Sequence, residues 1–310
     1  MRTTTLILIL IIMISLFHAA QPDQTSAQTS EEENQQKSGM MHDKGAGFSL
    51  QLPEGWVYQA GPQGILVGHN TIPGMVLISP VSANTLDELV NEVQIGLQSG
   101  GDELMLYPVS IDARDDQTLV VSVQGQAGFQ SVRGYSVSRL SPYGGGLSIS
   151  ALVASEHYDK TYSDLVEQVV GSMEFSEPEQ TQKVQYWYNR LSGRKLTYMS
   201  SHYSSGGGFG GYSTGGGWSE RSEFHLCADG KVHGSSSSSV NVDTGGAFGH
   251  SGRDSGRMQG TWQIQSFAGF PIIHARFMDG TIYRFTLSEQ NGNTYLDNTQ
   301  WHVTNDAQCL

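Results

Sequence analysis

Apolar and polar residues alternate through Phe48-Ser49-Leu50-Gln51-Leu52, the period of a strand with one buried face. Pro53-Glu54-Gly55 then supplies turn chemistry ahead of Trp56, whose ring is large enough to cover a sheet. The same reading predicts strands at 64–68, 75–79, 104–109, 119–123, 130–140 and 147–154. Two segments follow a helical period instead. Thr85-Leu86-Asp87-Glu88 has capping-box spacing, in which the hydroxyl and the carboxylate each satisfy a backbone donor at a helix start. Behind it, Leu86, Leu89, Val90, Val93 and Leu97 share one face. Leu165, Val169 and Met173 make a second stripe ahead of Phe175. Strands, a helix, a run of strands and a closing helix describe an α+β unit over residues 45–177, an antiparallel sheet with covering helices.

A polar connector with Pro178 follows, and residues 178–183 form a linker of boundary composition. Val184, Trp187, Tyr188 and Leu191 are spaced for a short helix that plugs or docks against what comes next. Strand patterns recur at 195–200, 218–227, 231–242, 258–265, 271–277, 281–287, 294–296 and 300–303. Eight strands close a barrel around side chains or one small ligand, so residues 184–310 read as an all-β eight-stranded barrel.

Turn parity fixes two hairpins. A two-residue turn at Asp229-Gly230 would pair Cys227 with Val232 and mix the faces. A three-residue loop with Gly230 in the left-handed region pairs Leu226 with Val232 and His225 with His233. At Asp279-Gly280 the same choice aligns Ile273, Ala275 and Phe277 with Tyr283 and Phe285, and leaves His274 beside Arg284 on the other face.

The strand and Leu-Pro-Glu-Gly-Trp turn ending at Trp56, with the terminal helix leading to Gly171-Ser172-Met173-Glu174-Phe175, resemble the opening and closing of Mog1/PsbP-like domains. That resemblance implies the α+β fold and, because the fold serves unrelated binding and accessory roles, no particular activity. Gly260-Thr261-Trp262 is similar to the Gly-x-Trp signature of lipocalin-like barrels, although lipocalins carry it on their first strand. Trp262 reads as a core residue.

Composition places the chain outside the cytoplasm. Arg2, an apolar run at 6–17 and His18-Ala19-Ala20 have the layout of a secretory signal peptide over residues 1–20. The run is shorter than the roughly 20 residues of a spanning helix, so cleavage near Ala20 leaves no stable membrane insertion; an uncleaved anchor is the alternative. Residues 21–44, with Glu31-Glu32-Glu33, lack apolar groups and read as a disordered polar linker. The protein is expected to be exported, periplasmic or extracellular. Residues 45–177 carry a net charge of -11 and residues 183–310 a net +1, which argues against nucleic acid as a partner.

Two cysteines occur, Cys227 and Cys309. In an exported protein they are expected to form a disulfide. A zinc site from His225, Cys227 and His233, completed by Asp229 or water, is the rival, and the two exclude each other because a disulfide sulfur is not a thiolate.

Catalytic motifs fail on context. Gly211-Tyr212-Ser213-Thr214-Gly215 fits a nucleophile elbow, which requires a strand-to-helix turn that the pattern does not supply. Gly206, Gly208 and Gly211 match a dinucleotide fingerprint in composition alone. Arg253-Asp254-Ser255-Gly256 is similar to a serine-protease nucleophile loop without locatable partners. What the tract offers is Phe209, Tyr212 and Trp218 among glycine hinges, candidates for contacting a sugar, a lipid or a protein at a barrel mouth. The expected function is an exported non-enzymatic binding or accessory protein for an unknown small molecule or protein, with no cofactor and no metal. An envelope serine hydrolase using the Gly/Ser-rich loops, or a small-barrel protease inhibitor, is the alternative.

Overall fold

The computed structural model describes residues 37–61, 64–94, 97–99, 104–205, 215–243, 250–306 and 309. The chain is mostly β and divides into two compact units, Met1–Glu179 with Phe267–Gly269, and Gln180–Ser266 with Phe270–Leu310. Among the described residues no helix is long and apolar enough to cross a membrane. Segment 1–20 and the linker up to residue 36 lie outside the described residues.

In the first unit the strands are β1 (Lys37–Ser38), β2 (Met40–Asp43), β3 (Phe48–Gln51), β4 (Trp56–Gly61), β5 (Gly64–His69), β6 (Met75–Val81), β7 (Leu97–Ser99), β8 (Leu104–Ala113), β9 (Thr118–Ala127), β10 (Gln130–Leu140), β11 (Gly146–Ala154) and β12 (Glu174–Phe175). They form a nine-stranded sheet in the order β1-β4-β5-β6-β11-β10-β9-β8-β7 and a three-stranded sheet in the order β12-β3-β2, with antiparallel pairing. Helix α1 (Leu86–Gln94) starts as its capping pattern predicts. Thr85 Oγ1 accepts from Glu88 N at 3.3 Å, while Glu88 Oε2 accepts from Asn84 N at 2.8 Å, one residue before the reciprocal partner. Leu89 packs with Val81, Ala83, Leu119, Val121 and Leu140. Helix α2 (Lys160–Gly171) is capped by Asp159, whose carboxylate accepts from Thr161 N at 2.8 Å, and it buries Leu165, Val166, Val169 and Val170 near β10 and β11.

Order begins earlier than composition suggests. Residues 37–43, part of the expected disordered linker, pair as β1 with β4 and β2 with β3, and Met41 is buried. Backbone pairing with a formed strand supplies the hydrogen bonds that this short polar segment could not satisfy by a hydrophobic face of its own.

The second unit opens with α3 (Gln182–Leu191), capped by Thr181, and continues as β13 (Arg194–Ser205), β14 (Gly215–Leu226), β15 (Lys231–Asp243), β16 (His250–Phe267), β17 (Phe270–Phe277), β18 (Ile282–Gln290), β19 (Asn293–Leu296) and β20 (Thr299–Asn305). These eight strands close a barrel in sequence order, β20 pairing back onto β13 from Arg194↔Asn305 to Thr197↔His302. Both hairpins adopt the expected register: Leu226↔Val232 and His225↔His233 in one, Ile273↔Phe285, His274↔Arg284 and Ala275↔Tyr283 in the other. Gly230 and Gly280 have φ of 82° and 86°, the left-handed conformation this loop requires. Strands β13, β14 and β16 run longer than their apolar patterns predict, because their serine- and glycine-rich ends carry no hydrophobic period, whereas β15 matches the expected 231–242 to within one residue; the pairing extends to Ser205↔Gly215 and Val242↔His250.

Candidate functional site

The barrel interior is the first place to look for a ligand. Inward positions of the eight strands converge on one cluster that includes Leu196, Phe224, Leu226, Val232, Trp262, Ile273, Phe277, Leu287 and Trp301, with Tyr283 and Phe285 packed against it. Phe224, 4% exposed, is its hub: its ring centroid lies 5.4 Å from Trp301, 5.5 Å from Tyr283, and 6.1 Å from each of Phe277 and Phe285. These rings occupy the volume that a lipocalin-type ligand would need, so this part of the barrel is a packed core.

One end of the barrel is covered by α3, as the spacing of Val184, Trp187, Tyr188 and Leu191 predicts. Trp187 and Leu191 join the core, and Tyr188 stacks on Trp262 at 5.5 Å while its hydroxyl donates to Ala228 O at 3.2 Å. Trp262 is buried with its Nε1 donating to Cys227 O at 2.8 Å, a core residue with its polar atom satisfied. Arg190 ties the helix to the far hairpin by donating to Gly292 O at 2.8 Å.

The residues singled out by motif fall partly outside the described residues. Phe209, Tyr212 and Ser213 lie outside the described residues. Trp218 is placed on β14 opposite His202 and Val240. Ser255 lies within β16 opposite Ser237, a strand position, whereas a protease nucleophile is presented from a loop.

Cys227 and Cys309 form the expected disulfide, which removes Cys227 from the zinc set with His225 and His233. His225 is engaged elsewhere: its Nδ1 lies 2.7 Å from Asp306 Oδ2, both residues being buried. Sequence reading missed this pair because Asp306 stands eighty-one residues away with no local pattern around it. On the outer face of β17, His274 is buried, and neither ring nitrogen has a hydrogen-bond partner among the described residues. Burial, followed by the charges of Arg284 and Arg276, pushes its imidazole down to about 3, so it is neutral at ordinary pH.

The first unit carries an open cleft of about 490 Å³, within the size range of small-molecule sites. It is lined by Thr71, Ile72 and Pro73 from the β5–β6 loop and by Glu156 to Asp159, Thr161 and Tyr162 at the start of α2. Both walls are held by hydrogen bonds. His69 Nδ1 accepts from the amides of Thr71 at 3.1 Å and Ile72 at 3.2 Å, and the Tyr162 hydroxyl donates to Pro73 O at 2.5 Å across the floor. Tyr158 stacks on Tyr162 at 6.2 Å and lies under the Arg133 guanidinium at 5.1 Å. Glu156 and His157 face solvent 3.6 Å apart. Asp159 already spends its carboxylate on the helix start, so the helix terminus does not offer a vacant anion site.

Elsewhere on the first unit, Arg114 grips Glu167 with two hydrogen bonds of 2.8 and 2.6 Å, and the Tyr135 hydroxyl donates to the same carboxylate. The Arg114 hydrogen bond holds Glu167 below the usual carboxylate range, while burial and then Glu167 push the Tyr135 phenol up to about 12. This satisfied triad is a brace, because every charge in it is already paired.

No known family model matches the chain, and no curated protein does. Among solved structures the chain is similar to a protein from Bacteroides thetaiotaomicron, at 13% identity and a TM-score of 0.33, over 49% of this chain and 57% of that one.

Proposed function

We propose that this chain is an exported, non-enzymatic binding protein in which a Mog1/PsbP-like α+β unit is followed by a lipocalin-like barrel, with the first unit's cleft as the recognition site. The observation that carries the reading is the aromatic core of the barrel: with Phe277, Tyr283, Phe285 and Trp301 all packed around Phe224, the second unit is a scaffold and recognition falls to surfaces. The cleft combines two tyrosines with exposed hydroxyl, imidazole and carboxylate groups, the mixture suited to a small polar ligand of saccharide or peptide-fragment size. Export is supported by the basic start and short apolar run before Ala20, and by a disulfide, which persists in oxidising compartments.

The test is ligand-observed NMR of the full chain against a panel of oligosaccharides and short peptides. Binding is expected to be lost in His157→Ala combined with Tyr158→Ala and kept in Trp218→Ala. Binding that survives the cleft changes and disappears with Trp218 would move the site to the Trp218 end of β14 and overturn this placement. The hydrolase alternative is tested separately by a fluorophosphonate probe, which is expected to leave the protein unlabelled. Labelling lost in Ser213→Ala or Ser255→Ala would overturn the non-enzymatic reading.

A further inference from the structure

Four side chains of the kinds that bind zinc meet at one place in the second unit. Cys227 follows the end of β14 and is bonded to Cys309; Cys309 Sγ lies 3.3 Å from Asp306 Oδ2; and that oxygen lies 2.7 Å from His225 Nδ1. A disulfide sulfur has no proton to donate, so the contact between Cys309 and Asp306 is proximity rather than a hydrogen bond. His225 and Cys227 are two residues apart and project on the same side of the chain. Their backbone is fixed: Cys227 N donates to Lys231 O at 2.9 Å, and Cys227 O accepts from Trp262 Nε1 at 2.8 Å. Asp306 and Cys309 follow β20, outside any strand. With the disulfide closed, no group of three or more His, Cys, Asp or Glu side chains among the described residues is placed to hold a metal.

The geometry points to a redox-gated zinc site: when the disulfide is reduced, Cys227, Cys309, His225 and Asp306 become the four ligands of one Zn²⁺. A dithiol or phosphine reductant supplies two electrons, the S–S bond breaks, and each sulfur takes up a proton. Zn²⁺ then displaces both thiol protons and binds two thiolates, a neutral imidazole and a carboxylate. At Zn–S bonds of about 2.3 Å in a tetrahedron, the sulfurs must part to about 3.8 Å. Cys309 is the arm that moves, since β14 and the Trp262 hydrogen bond hold Cys227 in place. The same two sulfurs serve both states, so the disulfide and the metal exclude each other in time, and the site is loaded in the reduced chain only.

Co²⁺ is the probe, because thiolate ligation gives it a near-ultraviolet charge-transfer band and a tetrahedral site gives it strong visible absorption. The full chain, without a polyhistidine tag, is titrated with Co²⁺ while oxidised and again after reduction by a phosphine under anaerobic conditions. No spectrum is expected from the oxidised chain; the reduced chain is expected to bind one Co²⁺ that Zn²⁺ displaces. His225→Gln and Asp306→Asn should each weaken binding by at least the roughly 10- to 100-fold that loss of a ligand's supporting contact costs. His233→Ala, which removes the imidazole paired across the hairpin, should leave it unchanged. A reduced chain that gives no thiolate spectrum overturns the proposal, as does binding that survives both His225→Gln and Asp306→Asn or that requires His233. Circular dichroism is followed in parallel. A reduced chain that unfolds and is restored by Zn²⁺ supports the site, and one that Zn²⁺ does not restore overturns it.

Discussion

Phe224→Ala tests the packed barrel directly. The ring is almost wholly excluded from water and touches four other aromatic rings, so truncation removes its transfer free energy and opens a hole among side chains that rest on a closed sheet. A residual void of roughly 100 Å³ at about 24 cal/mol per Å³ accounts for about 2.4 kcal/mol by itself, and the lost transfer term brings the whole to about 3 to 5 kcal/mol. Phe224→Leu, which refills most of the volume, should cost less than half of that. The assay is urea unfolding at 25 °C followed by tryptophan fluorescence, in which Trp187, Trp262 and Trp301 report on the second unit. The midpoint should fall while the slope stays constant, since the surface exposed on unfolding is nearly unchanged. A loss below about 1 kcal/mol would mean that the ring has room around it, and both the packed core and the surface-recognition argument would then fail.

Three further outcomes follow from particular side chains. Gly260→Ala should destabilise the barrel by about 3 kcal/mol, because a Cβ there would overlap the Arg276 carbonyl oxygen and lie 2.7 Å from Phe277 Cα, backbone atoms that cannot step aside; a neutral substitution would show that β16 and β17 are not so close. His274 has a folded value depressed below its unfolded one, so its contribution is complete above about pH 6.5 and is lost as pH falls toward 3. Unfolding curves at stepped pH should therefore show a decline that His274→Leu flattens, and parallel declines would refute it. Glu167→Gln removes one cause of the raised Tyr135 phenol, so its titration near pH 12, followed by ultraviolet absorbance, should move toward 10; an unmoved titration would detach Tyr135 from the brace.

Much of the fold was legible where a local rule and a face rule agreed. At Asp229-Gly230 and Asp279-Gly280 one loop geometry kept the apolar residues together, and the register followed. Thr85 and Glu88 announced α1 because a cap needs only four residues in sequence. The pair of cysteines announced its bond through its count and the expectation of export. The outer ends of β13, β14 and β16 were not legible, since serine and glycine carry no period from which burial can be read. Nor were β1 and β2, whose order depends on partners already formed. The cleft escaped for another reason: the loop Thr71 to Pro73 and the approach to α2 from Glu156 to Tyr162 are unremarkable segments until β6 and β11 pair and bring them together. His225 and Asp306 likewise meet only because the last strand returns to the first.

That return has a consequence for the order in which the molecule can be made. Strands adjacent in sequence are adjacent in the barrel except at the junction of β13 with β20, and β20 is the last of the barrel's strands to leave the ribosome. Until it does, the growing second unit is an open sheet with two bare edges, able to form hairpins but not to enclose Phe224 and Trp301. Leu196 meets Val303 only at the final step, and the loop closed at that step is nearly the whole unit, so the step is slow compared with hairpin formation. The nascent barrel therefore stays unlocked until β20 has emerged, and its core sets only when that strand pairs with β13.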